Sequence, residues 1–182
     1  MLSTVQELKL IARCIAFDDR DAFGLLVEEY SVPLNRFIFN LTKGDAALTD
    51  DISQETFIKA WLSLRQFKGI SKFKTWLFKI ACNEFATHCR RNKSITDGNG
   101  NTETVNVAPH DSTDARLDVE WLLSTLNDKE RTVILLFYLE ELPVKKIVEI
   151  TGFPEGTVKV YISRAREKMK NNYLNDYYER QR

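Results

Sequence analysis

The chain has 182 residues, of which 43% are hydrophobic and 29% charged, and its 26 basic residues balance 26 acidic ones. That length supports one large or two small domains with modest cores, and the composition excludes both a disordered chain and, with no apolar run longer than Val133–Leu139, a membrane-spanning helix. The zero net charge conceals a segregated pattern: residues 61–95 hold eight basic side chains against one acidic, 96–130 two against eight, and 154–182 seven against four, so two cationic blocks flank an anionic one and suggest two phosphate-facing surfaces.

Thr4–Ala16 reads as a short amphipathic helix. Its Glu7, Lys9 and Arg13 interrupt any cleavable apolar core, so no signal peptide is expected and the protein should stay in the cytoplasm. Asp21–Lys43 repeats apolar residues at helical spacing: Phe23, Leu26, Val27 and Tyr30, then Leu34, Phe37, Ile38 and Leu41, with Pro33 allowing a bend or restart and Gly44 ending the run. Ala46–Phe67 is a further helix, expected to turn Ile52, Phe57, Ile58, Trp61 and Leu62 inward. Its other face offers Asp50, Asp51, Gln54 and Glu55. Acid at a helix start meets the macrodipole favourably. A protein-docking surface explains the same residues, since acid does not help bind DNA, and spacing leaves the two readings level.

Lys72–Arg91 closes this half. Leu77, Ile80, Ala81 and Phe85 form a core face, while Lys79, Asn83 and Thr87 recur every four residues and meet Arg90 and Arg91 in one polar, basic stripe. Just upstream, Phe67, Lys68, Lys72, Phe73, Lys74 and Trp76 interleave aromatic rings with lysines. Bases stack on rings while lysines hold phosphates, so the mixture suits single-stranded nucleic acid. The rings can equally be core, and for Trp76 that is the simpler reading.

From Asn92 to Asp114 the helical period disappears, and Asn, Asp, Ser, Thr and Gly dominate. This reads as a flexible linker, dividing the chain into a domain over 1–93, a linker over 94–114 and a domain over 115–182. Extended, it reaches at most roughly 75 Å at about 3.3 Å per residue, beyond one duplex turn of about 34 Å. Helices over Ala115–Leu126 and Lys129–Leu142 follow, with Asn127-Asp128 as an N-cap signal between them.

Residues 143–170, PVKKIVEITGFPEGTVKVYISRAREKMK, carry the sharpest signal. Two short helices hinge at Gly152-Phe153-Pro154: the glycine can take a positive φ, and the proline fits the first turn of the next helix. On the second helix Val158, Ile162, Ala165 and Met169 make a buried stripe, and Val160, Ser163, Arg164 and Glu167 face away, flanked by Thr157, Lys159 and Arg166. A helix so divided packs on its partner and offers a polar face to the major groove, as in a helix-turn-helix. No strand pattern or repeat is present, so the expected fold is all-α.

No enzyme signature is present: there is no glycine-rich phosphate loop, no HExxH and no GxSxG, so neither catalysis nor a cofactor is expected. Cys82, His88 and Cys89 lack a fourth ligand, and Cys14, Cys82 and Cys89 read as reduced thiols on helices. On the residues alone, a helix-turn-helix regulator that dimerises through its N-terminal domain remains open.

The segments DAFGLLVEEYSVPLNRFIFNL, DDISQETFIKAWLSLRQF, FKTWLFKIACNEFATHCRRNK and LNDKERTVILLFYLEELPVKKIVEITGFPEGTVKVYISRAREKMK together resemble a bacterial RNA polymerase sigma factor of the extracytoplasmic-function, group IV type in the sigma-70 family. The resemblance implies two helical domains, sigma region 2 and sigma region 4. It implies docking on the β′ coiled coil of core RNA polymerase through Asp51, Gln54 and Glu55, and contact with the β flap. The loop Gln66–Lys72 and the helix after it would bind and melt the minus-ten element, taking a base flipped from the non-template strand. Lys68, Lys72, Phe73, Lys74, Trp76, Lys79, Asn83, Thr87, Arg90 and Arg91 are the residues concerned. The second hairpin helix would read the minus-thirty-five element through Lys159, Val160, Ser163 and Arg164, with Thr157 and Arg166 nearer phosphates. A monomer when free and an anti-sigma partner, which can be membrane-anchored, are further implications. Two departures stand out. Val160 and Ser163 make hydrogen-bond readout thin, leaving thymine methyls or DNA shape to contribute, and Pro143 replaces the usual Ser or Thr cap of the first hairpin helix.

Overall fold

The computed structural model describes residues 2–96 and 115–179, and every regular element among them is helical. The chain folds as two compact units, Met1–Phe85 and Ala86–Arg182. Most of the expected linker, residues 97–114, lies outside the described residues. No helix among the described residues is long and apolar enough to cross a membrane.

In the first unit α1 spans Thr4–Phe17 and α2 spans Arg20–Leu41. A capping box starts α1: Gln6 N–H donates to Ser3 Oγ at 3.3 Å, and Ser3 N–H to Gln6 Oε1 at 2.9 Å. Asp19 caps α2, accepting from Ala22 N–H at 2.9 Å through Oδ1, while its Oδ2 accepts from Arg13 at 2.7 Å. These two donors, the amide first, hold the Asp19 carboxyl below the usual carboxylate range. Pro33 allows a bend or restart, but α2 runs through it as one helix. An interior proline costs roughly 3 kcal/mol. Leu34, Phe37, Ile38 and Leu41 beyond it are fully buried, each contributing about 1.5–3 kcal/mol, so packing wins.

Helix α3 spans Ala46–Ser63 and yields to a 3₁₀ turn over Leu64–Gln66, short of the expected end at Phe67. Its buried side is Thr49, Ile52, Ser53, Thr56 and Ala60. Ile58 and Leu62, expected inward, are 52% and 73% exposed. The inversion has a packing cause. Small side chains let α3 approach α2 closely, and Thr42 at the end of α2 joins Thr49 hydroxyl to hydroxyl at 2.8 Å. Larger residues at those positions would hold the helices apart.

Helix α4 spans Phe73–Thr96, longer than expected. Phe73, Leu77, Phe78, Ala81 and Phe85 enter the core, with the Phe78 ring 4.8 Å from that of Phe37 on α2. Cys14 and Cys82 are buried free thiols. Burial raises the pKa of both, that of Cys82 to about 12.

In the second unit α5 spans Ala115–Ser124, α6 Asp128–Ile134, α7 Val144–Thr151 and α8 Glu155–Glu179. Asn127 caps α6, as its sequence signals, in a capping box with Glu130. Instead of running on to Leu142 as an α-helix, α6 widens into a π turn over Leu135–Leu139, and Glu141 takes a left-handed φ of 50°. Arg131 is wholly buried; its guanidinium donates to the carbonyls of Leu123 in the last turn of α5 and Leu126 just beyond it. Burial, the larger influence, lowers its pKa to about 10.

Candidate nucleic-acid interface

The turn between α7 and α8 forms as its residues dictate. Gly152 adopts φ 72°, and its N–H reaches the Val148 carbonyl at 2.9 Å. Phe153 packs edge-on against Tyr161 of α8, with centroids 5.5 Å apart, which fixes the entry of that helix. Pro154 lies just before Glu155 and accepts from Val158 N–H at 3.0 Å, so it caps α8 rather than occupying its first turn. Pro143 offers no side-chain cap, but its carbonyl accepts from the amides of Lys146 and Ile147.

On α8 Val158, Ile162 and Ala165 are buried and Met169 half-buried, while Lys159, Val160, Ser163, Arg164 and Arg166 are exposed and Thr157 half-exposed. The helix is therefore divided as its spacing predicts. Two details bear on recognition. Lys159 is paired with Glu155 at 2.6 Å along the exposed edge, which holds the Glu155 carboxyl below its usual range. Lys159, Ser163 and Arg166 also border a cleft of about 550 Å³ floored by Phe137, Val144 and Ile162.

In the first unit the loop before α4 is anchored by rings. Phe67 lies 5.8 Å from Phe73 and 5.2 Å from Trp76, and Phe73 lies 5.3 Å from Tyr30. Phe73, expected among the DNA-contacting residues, is buried beneath its neighbours. It supports the loop and has no face open to a base. Phe67 and Trp76 keep part of their surface at the edge of this cluster.

Trp76, Lys79, Asn83 and Arg90 fall on one face of α4 by helical spacing, with Lys72 in line just before its first turn, Thr87 beside them and Arg91 further round. Arg90 donates to Thr87 Oγ1 at 3.1 Å. Lys74 is the exception: it lies on the opposite side, its ammonium 5.3 Å from the Phe78 ring centroid. Alternation in sequence put Lys74 with the other lysines; helical geometry separates it from them. Lys68 is exposed in the loop, as is Ile70, which sequence reasoning missed and which at 86% is the most exposed large apolar side chain described.

Asp51, Gln54 and Glu55 are all exposed on α3. Ile58 and Leu62 continue their stripe at steps of three and four, converting an acidic patch into a ridge with an apolar end. The signal for these two was the small-residue stripe Thr49, Ser53, Thr56 and Ala60 opposite them. No group of His, Cys, Asp or Glu among the described residues is arranged to hold a metal ion.

The family model for sigma-70 region 2 matches residues 26–95, and that for sigma-70 region 4 matches 116–169. The chain is 32% identical over 167 residues to the ECF RNA polymerase sigma factor SigW of Bacillus subtilis, covering 84% of this chain and 89% of that protein. It is 33% identical over 172 residues to the ECF RNA polymerase sigma-E factor of Haemophilus influenzae, covering 84% and 88%. Among solved structures, the sigma factor RpoE in complex with the anti-sigma factor NepR, from Bartonella quintana, superposes with a TM-score of 0.69 at 26% identity over 82% of this chain and 94% of that one. A divided helix-turn-helix, a basic α4 and these matches over both units place the chain in the extracytoplasmic-function group of the sigma-70 family, the factors that direct promoter-specific transcription initiation by RNA polymerase.

Proposed function

We propose that this sigma factor works as two DNA-binding domains, residues 1–93 and 115–182, tethered by 94–114, with a docking ridge for core polymerase on the first. Asp51, Gln54 and Glu55, extended by Ile58 and Leu62, dock on the β′ coiled coil; the apolar end supplies buried area and the acidic end steers the encounter. Lys68, Lys72, Trp76, Lys79, Asn83, Thr87, Arg90 and Arg91 hold the melted non-template strand of the minus-ten element. The lysines and arginines neutralise phosphates, and the accessible edges of Trp76 and Phe67 stack on bases. Arg164, Lys159, Ser163 and Val160 enter the major groove of the minus-thirty-five element, with Thr157 and Arg166 at phosphates. The second domain also meets the β flap. The factor acts in the cytoplasm, as a monomer until it joins polymerase, performs no covalent chemistry, and is restrained by an anti-sigma factor.

The observation that carries this reading is the division of α8, with Val158, Ile162 and Ala165 buried and five of the six proposed contact residues exposed on the remaining surface. In vitro transcription with purified core polymerase on a genomic fragment library tests it. Promoter-dependent transcripts that require the added chain are expected; specific duplex binding with no effect on core transcription would contradict it.

A further inference from the structure

One lysine is shared by carboxylates on two helices. Lys59 Nζ lies 2.5 Å from Glu84 Oε2 on α4 and 3.4 Å from Glu55 Oε1, one turn back on α3. Glu84 is the single acidic residue in the block 61–95, where eight basic residues gather. Its side chain is only 14% exposed. Helical spacing sets it one turn before Thr87 and two turns before Arg91, so its carboxylate lies on the flank of the stripe that holds the promoter strand in the reading above. A bare carboxylate there repels phosphate over a range comparable to the screening length, about 8 Å at physiological ionic strength. The Lys59 ammonium is itself held in its charged form, chiefly by the bond to Glu84.

We propose that Lys59 is a positioning residue for promoter-strand binding: by engaging Glu84 from α3 it offsets the negative charge that α4 itself carries beside its basic face. This rests on α4 being the strand-binding surface. A lysine that merely pinned α3 to α4 would leave a different signature. Removing either partner breaks such a pin equally, so both substitutions would act in the same direction. Charge masking makes the two substitutions opposite in sign, because Lys59→Gln exposes a negative charge while Glu84→Gln deletes it.

The test uses the full chain with saturating core polymerase and a fluorescent single-stranded oligonucleotide carrying the factor's own minus-ten non-template sequence. Wild type, Lys59→Gln, Glu84→Gln and the double variant are compared at low and high salt, below the unfolding midpoint of each. Lys59→Gln is expected to weaken binding by about threefold to tenfold at low salt. Glu84→Gln should bind as tightly as wild type or tighter, the double variant, whose local charge equals that of wild type, should match wild type, and the differences should shrink at high salt. Both single variants weakening alike, or a salt-independent loss, overturns the role of Lys59 while leaving the reading of α4 intact. A wild-type complex that ignores the oligonucleotide overturns that reading and this proposal together.

Discussion

Lys168 Nζ lies 2.7 Å from Glu130 Oε2 and so ties the later part of α8 to the first turn of α6. Glu130 is almost fully buried and has a second task, since its carboxylate also accepts from the Asn127 N–H that opens α6. Glu130→Ala should therefore cost about 1–3 kcal/mol by removing a cap and a pair together. Lys168→Ala, whose side chain is half in solvent, should cost under about 1 kcal/mol. Urea unfolding of the two variants measures the inequality.

The acid end of the stability profile should depend on Asp19. Its folded pKa lies below its ordinary value because the Ala22 N–H and Arg13 favour the charged form. The stabilisation is then fully present above about pH 4, near the unfolded carboxylate value, and is lost as pH falls through the folded one. Wild type should thus be more stable than Asp19→Ala at neutral pH, and the gap should narrow on acidification. A gap constant down to about pH 2 would count against the two contacts.

On the proposed docking ridge, Ile58→Ala and Leu62→Ala should each weaken core polymerase binding by about 1–3 kcal/mol. Both side chains are largely exposed in the free chain, so the unfolding midpoint should barely move. Equal losses of affinity and stability would return these residues to the core.

The two surfaces proposed for DNA should respond differently to loss of charge. Arg164→Ala should weaken the preferred minus-thirty-five sequence by about 1–3 kcal/mol and relax its specificity. Lys79→Ala should weaken binding nearly uniformly across sequences and reduce the salt slope by about one. Binding titrations over a promoter panel at several salt concentrations distinguish them.

Much of this architecture was legible in the chain because its signals are local. Gly152 stops α7, Asn127 opens α6, and the apolar stripe of α8 falls where its spacing puts it, since caps and periodicity act within one helix. What failed was non-local. The expectation that Ile58 and Leu62 point inward follows from hydrophobicity, but Thr49, Ser53, Thr56 and Ala60 take the inner face because α2 comes close. Phe73 and Lys74 joined the strand-binding set by alternation with other rings and lysines; one lies under Phe67 and Trp76, the other over Phe78. Likewise, nothing near Arg131 in sequence announces that its guanidinium will be buried against the carbonyls of Leu123 and Leu126.

Promoter opening is the most direct test. A duplex carrying the factor's own promoter, with 2-aminopurine in the non-template minus-ten strand, is mixed with core polymerase and the chain. Fluorescence should rise only when both proteins are present, and should fall back for a variant with Asp51, Gln54 and Glu55 neutralised. No rise with both present, or an equal rise with core alone, would contradict the account.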